Sequence, residues 1–268
     1  MKKMFPNFLD FKRINFLFVL FAAVVVSMSL ASCEKEDEKD KGKVYQGLAV
    51  NMGNGTANSF IKVDRHNKPL EIGITMTKGA LTNLPQNPAD FERLTFVLGL
   101  HEKALELTPF DHIVINWGPQ GHPPAGVYNV PHFDFHFYTI TLAEQLAIPP
   151  YTPASAAKFD LLPPAGFMPA SYIPDPGGVP AMGKHWGDPN SLRPFSHTMV
   201  YGSYNGQLNF VEPMVTLPVL QSGVTIRTPY AQPEKFAKTG KWYPTKYNIY
   251  LDKHTQENFV TLTDFVKR

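Results

Sequence analysis

From Val44 onward the chain is written in short runs where apolar and polar residues alternate, most of them stopping at Gly, Pro or Asn. A period of two puts successive side chains on opposite faces of an extended strand, a pattern that a helix cannot bury along one side. Strands are predicted at 44–52, 59–65, 70–76, 93–98, 112–117, 132–141, 197–204, 207–214, 224–227, 247–251 and 258–263. Helical spacing appears briefly, around 89–93 and 143–146. The expected fold is mainly β, a sandwich or distorted barrel without internal repeats.

The sharpest local signal is Asn205-Gly206 between two alternating runs, because both central positions of a type I′ turn need positive φ. That turn pairs Tyr204 with Gln207, and the simplest register pairs Tyr201 with Phe210 and Met199 with Glu212. Glu212 would then share a face with His197, Met199, Tyr201, Leu208, Phe210 and Met214. Residues 149–194 differ in kind: they carry eleven of the 25 prolines and lack strand alternation. Phe159, Leu161, Leu162, Phe167, Met168, Tyr172, Met182 and Trp186 make this segment too apolar for a linker. It reads as a long proline-rich excursion packed over the β core, with a domain boundary as the alternative.

The N-terminus bears on location. Lys2, Lys3, Lys12 and Arg13 precede a 17-residue apolar run, 14–30, that suits a signal peptide better than a membrane span. It ends in Leu30-Ala31-Ser32-Cys33, which resembles the lipobox of bacterial lipoproteins and holds the only cysteine of the chain. Residues 1–32 are therefore read as a lipoprotein signal peptide, with Cys33 lipidated. A single cysteine excludes an internal disulfide framework and multi-cysteine metal sites. Losing four bases and one acid with the signal turns the formal +2 into −1. Residues 33–43 form a charged tether, and 44–268 a single neutral β-rich domain. No basic block follows the signal, so no nucleic-acid partner is expected. The acidic residues after Cys33 resemble a surface-display signal, while a plain hydrophilic linker serves equally. The expected address is the cell envelope, as an outer-membrane lipoprotein facing the periplasm or the exterior, its membrane contact made through acyl chains.

Chemistry concentrates in His122–Tyr138, which contains HFDFHFY. On a strand, Phe133, Phe135 and Phe137 form one buried face, while His132, Asp134, His136 and Tyr138 form the other. A solvated face would carry Lys, Glu, Thr and Ser, so these four residues, with His122 ahead of them, read as the lining of a ligand cleft. Taken singly, His122 and His112 fit structural roles. The α-carbons of His132 and His136 lie about 13 Å apart at 3.3 Å per residue, so one histidine beside Asp134 with ligands from elsewhere is the more natural arrangement. His185 and Glu212 are the distant candidates. His132, Asp134, His136, His185 and Glu212 thus form a candidate set for one divalent transition metal, against a polar cluster satisfied by hydrogen bonds. The set evokes the cupin metal site, but the His-x-His of that pattern is absent. No zinc-peptidase helix, nucleophile elbow or phosphate loop occurs.

The segment WGPQGHPP followed by HFDFHFY, with Gly73, 81–85, 182–186, 201–214 and 243–247, resembles a bacterial extracytoplasmic family of unknown function. That family includes a Thermus protein controlled by a sigma-E/anti-sigma-E pair. The resemblance implies export, a β-rich fold and one continuous domain, and it brings no reaction, ligand or catalytic residue. Two readings follow. One is a non-catalytic binding or structural module of the cell envelope, with a homo-oligomer allowed. The other is a metal-dependent envelope enzyme whose ion acts as Lewis acid or activates water.

Overall fold

A computed structural model describes residues 42–191 and 193–268. The signal peptide, Cys33 and the tether up to residue 41 lie outside the described residues. Lys43–Arg268 forms one compact unit, and it is mostly β. Its first strands are β1 (Lys43–Gln46), β2 (Val50–Met52), β3 (Gly55–Val63), β4 (Pro69–Met76) and β5 (Thr95–Gly99). They are followed by β6 (His112–Gly118), β7 (His132–Tyr138), β8 (Ile173–Pro174), β9 (Lys184–Gly187), β10 (His197–Tyr204) and β11 (Gln207–Thr216). The last are β12 (Ile226–Pro229), β13 (Trp242–Tyr243), β14 (Lys246–Leu251), β15 (Asn258–Thr263) and β16 (Val266–Lys267).

Two seven-stranded antiparallel sheets result. The first runs β1-β3-β4-β15-β14-β12 with β2 also on β3, and the second runs β5-β6-β7-β11-β10-β9-β8; β13 and β16 form a small third sheet. Neither large sheet closes on itself, so the fold is a sandwich and not a barrel. Its core joins Ile61, Ile72, Ile74 and Leu262 of the first sheet to Phe133, Phe135, Phe137, Tyr201 and Val215 of the second. The three phenylalanines are fully buried, as their alternation predicts. Among the described residues no helix is long and apolar enough to cross a membrane.

Three expectations are corrected. The run 44–52 is two strands, which pair with β3 in registers one residue apart; Gly47, the last residue to bond in the first register, sits where any Cβ would collide with the Gly99 carbonyl. The proline-rich excursion does contain strands: β8 and β9 extend the second sheet beyond β10. Its Phe159, Met168, Tyr172 and Trp186 are buried, whereas Leu161 and Leu162 are exposed.

The third correction concerns register. Asn205 and Gly206 both adopt positive φ, and Tyr204 pairs with Gln207. A bulge then puts both Leu208 and Asn209 opposite one step of β10, so Tyr201 pairs with Val211 and Met199 with Pro213. One extra residue reverses every face beyond it. Met199, Tyr201 and Leu208 face the sandwich core, and His197 reaches Tyr247 of the other sheet at 2.7 Å. Glu212 instead pairs with Val200 and shares its face with Phe210 and Met214.

Candidate metal centre

β7 lies between β6 and β11, so both faces of HFDFHFY are flanked by well-paired strands. All seven of its residues are buried. The polar face is therefore roofed rather than lining an open cleft. The excursion supplies the roof: Tyr138 donates to the Ala181 carbonyl at 3.0 Å, and Asn209 in the bulge donates to the Met182 carbonyl at 2.6 Å. A cleft of about 320 Å³ does open elsewhere, among Phe110, Tyr201, Tyr230 and Phe236, but it touches none of the candidate residues.

The structure divides the candidates between two sets. In the inner set, His136, His185 and Glu212 each present a ligand atom within 4.8 Å of the others. Met214 pairs with Asp134 and Phe210 with Tyr138, which places Glu212 between them, beside His136. His185 comes from β9, opposite Gly202. Gly202 is required there, because a Cβ would run into the Phe210 ring. With no side chain in the way, Phe210 lies across β10 and packs edge-on to His136 at 4.8 Å and against His185 at 5.3 Å. Both imidazoles then aim Nε2 at one carboxylate: His136 at 3.4 Å from Oε1 and His185 at 3.7 Å from Oε2. Neither contact is a hydrogen bond, and Oε2 of Glu212 and both ring nitrogens of His136 have no partner.

Burial governs the charges of this set. It pushes Glu212 well above the usual carboxylate range, with the nearby Asp134 and Asp175 charges acting in the same direction. Burial also pulls His136 down to about 3 and His185 to about 4, aided by the charge of His122. Both imidazoles are thus neutral at pH 7, the form that binds a metal.

The outer set is His122, His132 and Asp134. Asp134 Oδ1 lies 3.0 Å from His132 Nε2, and Oδ2 lies 3.6 Å from His122 Nε2. Burial raises the carboxyl of Asp134, but the two histidines together outweigh it and hold it below the ordinary range. Phe195 packs edge-on to His132 at 5.2 Å, while the His122 side chain stays 41% exposed.

His132 thus sits beside Asp134 as spacing suggests, and His136 is partnered from distant strands. The five proposed metal ligands do not form one site. Tyr138 joins neither set; its ring stacks between His112 and His136 at 4.9 and 5.6 Å. His112 is structural, bound to Asp111 and to Gln145 at 2.9 and 2.8 Å. Gly202 and the Asn209 bulge, which bring the inner set together, carry no sequence signal beyond an isolated glycine in a strand.

Residues 64–117, from the turn before β4 to the end of β6, match the family model described as TTHB210-like: Hypothetical protein TTHB210. The likeness is to an uncharacterised, Thermus-type family. The match spans 54 of the 268 residues and includes Gly73, Leu81 and Trp117, but it stops before HFDFHFY. No curated protein and no solved structure matches the chain. The TTHB210-like model brings no activity with it, so function has to be argued from the two clusters.

Proposed function

We propose that this protein is a lipid-anchored module of the cell envelope that binds a divalent transition metal through His136, His185 and Glu212. The supporting observation is Glu212, a carboxylate only 2% exposed, with Oε2 unpartnered and two imidazole nitrogens within 3.7 Å. A carboxyl buried there without a partner is held protonated, since its charge would cost several kcal/mol, and a cation drawn to the same point stabilises the ionised form. Two neutral imidazoles and one carboxylate form a donor set suited to zinc, iron or a neighbouring first-row metal. The ligands come from β7, β9 and β11, so the ion ties the excursion's strand to the centre of the sheet. Their burial favours a structural or binding role over a metal enzyme, which needs a coordination position open to substrate.

The lipid anchor at Cys33 and the outer-membrane address rest on the N-terminal sequence. Elemental analysis of the tag-free full chain tests the metal. The wild type should hold one equivalent more than a His136→Ala, Glu212→Gln double variant. A metal-free wild type, or equal metal in both, rejects the reading.

A further inference from the structure

The outer set poses a problem of lone pairs. His122 Nδ1 lies 2.7 Å from the Pro123 carbonyl, and His132 Nδ1 lies 2.7 Å from the Val130 carbonyl. A carbonyl only accepts, so each Nδ1 carries the hydrogen and each neutral ring turns an acceptor lone pair outward at Nε2. Both lone pairs face Asp134, itself an acceptor. At 3.0 Å, His132 Nε2 and Asp134 Oδ1 are close enough to hydrogen-bond, yet both atoms are buried without a partner. With both rings neutral, three acceptors converge with nothing to donate between them. A proton on one ring would let that ring donate to Asp134 but would leave the other lone pair facing it, whereas one cation engages all three.

Histidines that give Nδ1–H to a backbone carbonyl and aim Nε2 at a common point are prepared as metal ligands, since the carbonyl fixes both tautomer and ring direction. The geometry points to a second divalent-metal position formed by His122 Nε2, His132 Nε2 and Asp134, so that the protein carries a two-metal centre with an inner and an outer ion. This deepens the metal-binding reading and rests on it for the inner ion. Asp134 and His136 alternate on one face of β7 with Cα atoms about 6.6 Å apart, which makes the two positions neighbours on the same strand. They differ in access. The inner set is the more buried, its His185 side chain 19% exposed, whereas the outer one includes His122 from the 119–131 loop, which leaves its ion a route to solvent.

Zinc stoichiometry tests the proposal. The full chain in detergent, purified without a tag, is equilibrated with Zn²⁺, freed of excess and assayed for metal alongside His122→Ala and Glu212→Gln. Two equivalents in the wild type and one in each variant support the two-metal centre. A single equivalent in the wild type that survives His122→Ala and is lost in Glu212→Gln overturns the outer ion and leaves the inner reading standing. No zinc in the wild type overturns both. His122 lies in a partly exposed loop, so its variant should keep the wild-type circular dichroism. Should it fail to fold, the wild-type count of two against one still decides.

Discussion

Gly202 and Glu212 do different things at the residue scale: one makes room for the Phe210 ring, and the other sets a buried carboxyl beside two imidazoles. Gly202→Ala would drive a methyl group into the Phe210 ring between the two inner histidines. We expect a loss of about 1–3 kcal/mol in urea unfolding, together with weaker zinc binding. A wild-type denaturation midpoint in this variant would show that Phe210 is free to move. His197 offers a separate pH handle on the opposite face of the sheet from both sets. Burial holds its pKa below 6.5 while it pairs with Tyr247. The folded state therefore binds fewer protons than the unfolded chain below 6.5. The stability due to the neutral ring is present above pH 6.5 and lost as pH falls toward the folded value. NMR titration should give an imidazole midpoint under 6.5, and His197→Gln should remove this share of the acid sensitivity. A midpoint at or above 6.5 refutes it.

Among the elements, the excursion is the one whose attachment can be read bond by bond. Lys184 is buried on β9, donates to the Asp175 and Gly177 carbonyls at 3.1 and 2.8 Å, and meets Asp160 at 3.1 Å. Lys184→Ala would orphan those carbonyls beside the strand that carries His185. A loss of about 2 kcal/mol is expected, with faster proteolysis inside 149–194 than elsewhere; uniform proteolysis would count against it. The sequence was uneven at this scale for physical reasons. Alternation in HFDFHFY announced β7 and its buried phenylalanines, and Asn-Gly announced the β10–β11 turn, because both signals are local. The bulge at Asn209 was silent, since its support is the Met182 carbonyl 27 residues away. Strand β9 was equally silent: Lys-His-Trp-Gly has no strong alternation and pairs only because β10 offers an edge. The candidate ligands were therefore legible as residue types, while their division into two sets depended on a register that local patterns do not fix.

For the whole molecule, a metal bound as proposed would add stability. At zinc one hundred times above Kd, one site adds about 2.7 kcal/mol, so the thermal midpoint should climb with zinc and fall with chelator. A midpoint indifferent to both would remove the metal from the fold. The anchor is tested by Cys33→Ser, which should move the protein from the membrane fraction to the soluble one; an unchanged distribution would contradict lipidation at that residue. Consider finally where the inner ligands sit in the chain. His136, His185 and Glu212 come from strands separated in sequence, and only the finished sheet brings them together. A chain that crosses a membrane unfolded has no such site on the way, so if this one is exported and binds metal as proposed, it takes up its ion where it folds. The choice of metal is then made by the supply outside the cytoplasm as much as by the imidazoles, and one polypeptide expressed in two compartments should come out carrying two different ions.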